Sequence, residues 1–473
     1  MNEFECVIGL EVHVELNTAT KAFCRCKTDF GAAPNTQVCP VCLGHPGALP
    51  VFNGKVLEKA VKVGLALNCN ISEKSRFDRK NYFYPDLPKA YQITQFYRPL
   101  CKDGYLTLET EMGEKRIGIT RIHIEEDAGT LTHRGDKTKI DCNRCGVPLL
   151  EIVSEPQLRS AEEVKAYLKK LRSVILFTGC SDCKMNEGSM RCDINISVRR
   201  KGEKALGTRT EIKNLNSFKY AAKAVEYEFA RQVNIIKNGG SIIQETVRFD
   251  AERGITEPMR SKEDARDYRY FPEPDLPEVY ISRSRIEHIG QSLPTLPDER
   301  IKLYGEKFGI SPVDGENLTQ TPEKAEYFEG AAKLSRYPKI VSNMLLSDIP
   351  AVSGETGFEA IPAKHLASLA DFFGDGEINS ATVKRLLCRI AADGIDPCEV
   401  IDAENLRQIN DEGVIEEYVL RAVNDTPKAV SDYKNGKKTA ISAIIGRAMA
   451  ESSGKLNPQK LKDVCLAVLD RLE

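Results

Sequence analysis

Tryptophan is absent from this 473-residue chain, histidine occurs only 6 times, and neither sign of charge prevails, with 67 Lys+Arg against 69 Asp+Glu. A net charge of -2 speaks against a wholesale basic coat for nucleic acid, though not against a local basic face. No uncharged apolar run approaches the roughly 18–20 residues that a membrane span requires. The opening Met1-Asn2-Glu3-Phe4-Glu5 is acidic and lacks the regions of a secretory leader, so a cytoplasmic protein with no membrane partner is expected. No period of 20–50 residues repeats and nothing is of low complexity. Phosphate loops of the GxxxxGK[ST] and GxGxxG forms are missing, so an ATP site would need another route to its phosphates. No Cys/His or Ser/His/Asp arrangement points to a nucleophile.

What is present fits a soluble globular protein of two to four domains, with 41% apolar and 29% charged residues. The first ~290 residues alternate strand-like runs with turns. Two helix signatures interrupt them: Ser160 with Glu163 as a capping box, stopped by Gly179, and Ser217, stopped by Gly239-Gly240. Beyond a proline-bounded stretch near Leu293, short helices take over, among them residues 380–394, 439–449 and 458–472. The spacing and texture predict an α+β protein: a large, mainly antiparallel-sheet cradle over 1–292, then helical domains over 293–405 and 406–473. Residues 428–462 carry eight Lys/Arg and two acids, a local net of +6, which leaves -8 for the remainder.

Fifteen cysteines in a cytosolic chain point to metal binding or burial, not disulfides. Cys24, Cys26, Cys39 and Cys42 have the two-pair spacing of a closed, structural four-thiolate zinc site. Cys142, Cys145, Cys180 and Cys183 form a second double pair, for which a second zinc and buried thiols both stand open. Cys6, Cys69, Cys101, Cys192, Cys388, Cys398 and Cys465 are isolated and read as core.

Strand alternation places Ile8, Leu10, Val12 and Val14 on one face, and Glu11, His13 and Glu15 on the other. Arg121, His123, Glu125 and Asp127 share a face in the same way, as do Arg191, Asp193 and Asn195, and Arg209, Glu211 and Lys213. A half-solvated sheet would explain any one strand. Taken together, the faces favour oxygen and imidazole groups. Glu151 moreover lies in an apolar run, where a carboxylate costs several kcal/mol unless paired or metal-bound. Hard oxygen ligands from several strands suit Mg²⁺ serving a phosphate substrate. Arg79 with Lys80, Lys213, and Arg260 with Lys262 are cations that could meet phosphates.

Longer motifs carry a resemblance. Residues 7–15 (VIGLEVHVE), 77–89 (FDRKNYFYPDLPK), 123–129 (HIEEDAG), 146–156 (GVPLLEIVSEP), 187–198 (EGSMRCDINISV), 213–218 (KNLNSF), 267–277 (DYRYFPEPDLP) and 432–438 (DYKNGKK) closely resemble the B subunits of tRNA-dependent amidotransferases, over the whole chain. The resemblance implies a catalytic subunit that uses ATP to phosphorylate the side-chain carboxylate of Glu-tRNA(Gln) or Asp-tRNA(Asn). Ammonia from a partner amidase (A) subunit then displaces the phosphate, in a complex with a small C subunit. It maps Mg²⁺ binding onto Glu11, His13, Glu125 and Glu151, with Lys80 beside them. Asp193 and Glu211 are candidates for a second Mg²⁺ or for nucleotide contacts, with Lys213 and Arg191 as further cofactor-binding candidates. The mouth of an ammonia channel maps onto Lys80, Tyr82, Tyr84 and Lys89. A tRNA grip in the YqeY-like tail maps onto Lys434, Lys437, Lys438, Arg447 and Lys455. The Cys24/Cys26/Cys39/Cys42 knuckle is then structural Zn²⁺. Two rival readings remain at this level: a non-catalytic tRNA-binding scaffold, and a stand-alone phosphotransferase acting on a small carboxylate.

Overall fold

A computed structural model describes residues 3–110, 113–261, 267–354 and 356–471. Lys262 lies outside the described residues, as does Leu472 at the end of the last expected helix. The chain divides into two compact units, Met1–Pro297 and Asp298–Glu473.

In the first unit the described residues build a nine-stranded sheet. From edge to edge it runs Ile255–Ser261, Glu245–Asp250, Thr210–Leu215, Met190–Arg200, Phe4–Glu15, Pro148–Ser154, Gly113–Glu126, Cys101–Thr110 and Asn70–Ile71. Pairing is antiparallel except between Thr210–Leu215 and Glu245–Asp250, so the expected α+β, mainly antiparallel cradle is what forms. The apolar face follows the alternation: Ile8, Leu10, Val12, Ile122, Ile124, Leu150, Ile152, Ile194 and Ile196 are all buried in one core. Each large aliphatic side chain removed from water there contributes about 1.5–3 kcal/mol.

Three helices cover that face. Gly54–Ala66 supplies Val56 and Ala60, Ala161–Thr178 supplies Val164, Leu168 and Leu171, and Phe218–Lys237 supplies Ala221 and Val225. Ser160 Oγ accepts the Glu163 N–H at 3.1 Å, and the helix ends at Gly179 with φ +67°. Glu163 does not close the box back onto residue 160. Its carboxylate takes the Arg159 N–H at 2.7 Å and the Lys115 ammonium instead. Ser217 caps its helix through the Tyr220 N–H. The segments 81–88 (NYFYPDLP) and 270–277 (YFPEPDLP) resemble one another, and they start at a small sheet where Phe271–Pro272 pairs with Asp78–Asn81.

The second unit is helical, with one apolar cluster between Tyr304 and Ile401 and another between Ile415 and Leu469. The helix expected over 439–449 runs Ile441–Glu451, because a 3-10 turn at Lys438–Ala440 precedes it. Two cysteines read as core are not. Cys388 is exposed and Cys398 half-buried, because the buried stripe of Ser380–Asp393 is Val383, Leu386, Leu387 and Ile390, and Cys388 falls beside it. No described helix is long and apolar enough to cross a membrane.

Candidate active site

The polar face of the sheet gathers the acids. Glu11 pairs across strands with Asp193, and His13 sits between Arg191 on one neighbour and Glu151 on the other. Glu151 in turn pairs with His123, and Leu149 with Glu125. His13 Nε2 lies 3.4 Å from Glu151 Oε2, 3.5 Å from Glu125 Oε1 and 3.7 Å from Glu11 Oε1. His123 Nε2 lies 3.6 Å from Glu151, and Arg121 closes on the same carboxylate at 3.6 Å. Two ligand triads therefore share His13: one with Glu11 and Asp193, one with Glu125 and Glu151, each with donor atoms within 4.8 Å.

Lys213 reaches this face through a bulge. Asn214 adopts φ +66° where the register with Met190–Arg200 shifts, and Lys213 Nζ then pairs with Asp193 and, at 3.1 Å, with Glu211. Glu211 also accepts from Thr246 Oγ1 at 2.8 Å. Arg209 stays exposed, just outside the strand. Arg191 donates to Asp127 at 2.7 Å.

Electrostatics make the cluster tense. Burial and the neighbouring Glu151 push Glu125 up to about 7, and burial and Glu151 also raise Glu11. Burial alone would raise Glu151, yet the imidazoles of His123 and His13, with Lys80, hold it below the usual carboxylate range. Burial would lower His13, but Glu151, Glu125 and Glu11 lift it to about 9. His123 is pushed down to about 4 by burial, so at neutral pH the cations facing Glu151 are His13, Lys80 and Arg121. Burial works against the Lys80 ammonium too, but Glu125 and Tyr270 keep it above its ordinary value.

This donor set fits a hard divalent cation: three carboxylates that burial discourages from ionising together become compatible beside one. Buried Nε atoms of Arg121 and Arg191 find no acceptor among the described residues, which fits an anionic ligand on this face.

Lys80 and Tyr82 lie together, the ammonium 5.7 Å from the ring centroid, and Tyr84 is exposed. Lys89 is elsewhere engaged, bonded to Glu126 and 5.2 Å from the Tyr91 ring centroid. In the second unit Lys434, Lys437, Lys438 and Lys455 are exposed, whereas Arg447 is committed to Asp425 at 2.6 and 2.9 Å.

The four thiols of Cys24, Cys26, Cys39 and Cys42 converge within 4.8 Å, a closed sulfur set that fits Zn²⁺. The Cys39 N–H donates to Cys42 Sγ at 3.2 Å. Below them Lys21, fully buried, donates to Gln37 O at 2.8 Å and lies 3.6 Å from Cys42 Sγ. Cys142, Cys145, Cys180 and Cys183 are buried and form no comparable set among the described residues. His123, Arg121 and Lys21 are the residues that spacing did not single out. The first two stood on the right face by alternation, but a lone lysine between turns gave no local signal.

A family model described as the GatB/GatE catalytic domain matches residues 6–287, and one described as the GatB domain matches 326–469. The B subunit of the aspartyl/glutamyl-tRNA(Asn/Gln) amidotransferase of Carboxydothermus hydrogenoformans is 50% identical over 481 aligned residues, covering 100% of both chains. Proteins of the same description from Caldanaerobacter subterraneus and Agathobacter rectalis are 49% and 48% identical, covering 97% and 99% of this chain and 97% and 100% of theirs. The sheet and its carboxylate face thus fall within a catalytic domain of the amidotransferase class. The chain belongs to the GatB family.

Proposed function

We propose that the polar sheet face converts the side-chain carboxylate of Glu-tRNA(Gln) or Asp-tRNA(Asn) into the amide, in a complex with an amidase (A) subunit and a small C subunit. The observation that carries this reading is the convergence of Glu11, Glu125 and Glu151 on His13, inside the span matched by the family's catalytic domain.

A carboxylate is a poor electrophile. The γ-phosphoryl of ATP is transferred to its oxygen, giving ADP and an acyl phosphate; ammonia then attacks the acyl carbon, phosphate leaves, and the nitrogen gives up a proton. Such transfers rest on positioning and charge neutralisation. Glu11, His13, Glu125 and Glu151 would hold Mg²⁺, His13 as neutral imidazole after giving up the proton it carries beside the carboxylates, and the ion when bound neutralises phosphate charge and orients the transferred group. Lys80 contributes a fixed ammonium beside Glu125 and Glu151. Lys213 and Arg191, held by Asp193 and Asp127, offer the nucleotide cations, with Glu211 bracing Lys213.

Ammonia that the amidase releases from glutamine enters past Lys80, Tyr82 and Tyr84, while Lys89 is held by Glu126; aromatic walls pass a neutral molecule while excluding bulk water. Zn²⁺ on Cys24, Cys26, Cys39 and Cys42 is structural. The tail domain over 406–473 grips tRNA phosphates through Lys434, Lys437, Lys438 and Lys455, with Arg447 a weaker contributor.

The test uses the assembled complex with ATP, Mg²⁺ and Glu-tRNA(Gln), following ADP and Gln-tRNA(Gln). Glu125→Gln and Glu151→Gln should abolish both products while circular dichroism is unchanged. Normal ADP release by the folded variants would remove the site.

A further inference from the structure

A line of aromatic rings leaves the carboxylate centre, and apart from Tyr82 at its inner end the reaction above gives it no task. Tyr82 and Tyr268 meet edge to face at 5.6 Å, and Tyr268 meets Tyr270 at 6.0 Å. Tyr270 lies parallel to Phe96 at 4.0 Å, and Phe96 meets Tyr97 edge to face at 5.1 Å. Three segments distant in sequence build this one line. Its outer rings are not buried: Phe96 keeps 46% and Tyr97 50% of its surface open. Tyr82, Tyr268 and Tyr270 are half-buried, and two adjacent open rings at the end of such a line gain little for folding and mark a recognition surface.

The line is also braced. Asp78 is fully buried, and its Oδ2 accepts the N–H groups of Phe96 at 2.9 Å and Tyr97 at 3.0 Å. The Tyr97 hydroxyl donates to Tyr270 O at 3.2 Å. Arg269 takes φ +42° between Tyr268 and Tyr270, a left-handed kink held by Asn81 Nδ2 donating to Arg269 O at 2.8 Å. Side-chain-to-backbone hydrogen bonds hold these rings in addition to the ring contacts.

Cations stand at both ends. Lys80 Nζ lies 4.9 Å from the Tyr268 ring centroid, and the Arg76 guanidinium 5.4 Å from that of Tyr97. Lys80 faces Glu125 and Glu151 as well, so the inner end of the line is the edge of the proposed reaction centre. Rings interleaved with cations are the signature of unpaired nucleic acid, whose bases stack on the rings while phosphates meet the charges. Tyr270 and Phe96 already stack on one another, so bases would meet the outward faces and edges of the line and not the gaps between its rings. Four consecutive ring-to-ring steps exceed what a single adenine could cover.

We infer that Tyr268, Tyr270, Phe96 and Tyr97 form a stacking platform for the unpaired 3′ end of the RNA that carries the misacylated residue, presenting its terminal aminoacyl group at the Lys80 end. The inference rests on the reaction proposed above and adds the subsite that positions its substrate. Stacking uses a base's π-face, not its hydrogen-bonding edge, so one platform serves RNAs of either amino-acid identity.

The test uses the full chain and an RNA minihelix with an unpaired 3′ tail, with 2-aminopurine as its last base. The parent should quench the fluorophore on binding. Phe96→Leu and Tyr270→Leu, which keep apolar bulk without a π-face, should lose the quench and bind the tailed RNA about 10-fold more weakly, with little change toward a blunt minihelix. In the assembled complex the same variants should raise KM for Glu-tRNA(Gln) about 10-fold and leave KM for ATP alone. Tyr97→Leu, at an open ring, gives a smaller shift in the same direction and serves if Tyr270→Leu fails to fold. Retained quenching in folded variants overturns the platform, and so does a rise confined to KM for ATP, which would put adenine on the rings. A parent that amidates tRNA while its platform variants keep the parental KM sinks the platform alone. A parent that neither binds nor amidates tRNA sinks the proposed reaction with it.

Discussion

His13 and Glu151 stand directly opposite one another on adjacent antiparallel strands, with imidazole Nε2 3.4 Å from carboxylate Oε2. Arg191 continues the row on one side and His123 on the other, so four strands contribute one residue each to a single lateral line. Ladder hydrogen bonds, not loop conformation, set the spacing of these groups.

Removing one member of that row should be felt first as lost cation affinity. Glu151→Gln keeps size and shape but takes a charge from the His13, Glu125 and Glu151 triad. Titration with Mn²⁺ as a paramagnetic stand-in for Mg²⁺ should show affinity lowered by about 10–100-fold, the range seen even for groups that only support a ligand. Parental Mn²⁺ affinity in a folded variant would take Glu151 out of the metal site.

The knuckle should hold one zinc per chain. Cys39→Ser should reduce that stoichiometry and lower the melting temperature, since closed thiolate sites contribute folding energy directly. A variant with Cys142, Cys145, Cys180 and Cys183 all changed to Ser should keep its zinc, although burying four hydroxyls in their place will cost stability. Elemental analysis of purified protein decides the matter. Zinc lost from the quadruple variant with the knuckle intact would restore the second site.

Within the core, Glu228 is fully buried and accepts from Arg231 at 2.7 and 2.9 Å, Gln232 at 2.8 Å and Thr256 at 2.8 Å. Glu228→Ala should destabilise the catalytic unit by about 2–3 kcal/mol in urea unfolding. That is below the ~3–5 kcal/mol of a fully buried broken pair, because Arg231 keeps Glu245 and some solvent. A loss under about 0.5 kcal/mol, the usual surface value, would mean the network is decorative.

In the tail, Lys434→Ala, Lys437→Ala and Lys438→Ala together should weaken tRNA binding and flatten its dependence on salt. Each lost phosphate contact removes about 0.7–0.9 from the log–log slope. Arg447→Ala should change the slope less, since Asp425 already neutralises its guanidinium. Equal slopes for the parent and the triple variant would deny the tail a phosphate-gripping role.

Local signals were well legible. Alternation in residues 7–15 and 121–127 assigned both faces correctly, and Ser160, Gly179 and Ser217 marked helix ends that exist. Glu151 stood out because a carboxylate in an apolar run is costly. What escaped depends on distant chain. Nothing near Arg121 or His123 says that Pro148–Ser154 will lie beside them, and so their closure on Glu151 was not foreseen. The helix between Thr210–Leu215 and Glu245–Asp250 is marked by Ser217, but no short motif encodes that the strands on either side of it pair in parallel. Cys388 was misplaced for the opposite reason: residue type was read where helical phase decides.

The position of Phe4–Glu15 has a consequence for how the molecule comes into being. Phe4–Glu15 precedes every other described strand in the chain, yet its two neighbours are Pro148–Ser154 and Met190–Arg200. One of its edges has no partner until Pro148–Ser154 has been made and the other none until Met190–Arg200, and an apolar strand in that condition is a template for wrong partners. The residues that bring His13 into the reaction centre are therefore also those the nascent chain must shield longest, and slow or interrupted synthesis of the first half should reveal itself as aggregation before it reveals itself as lost activity.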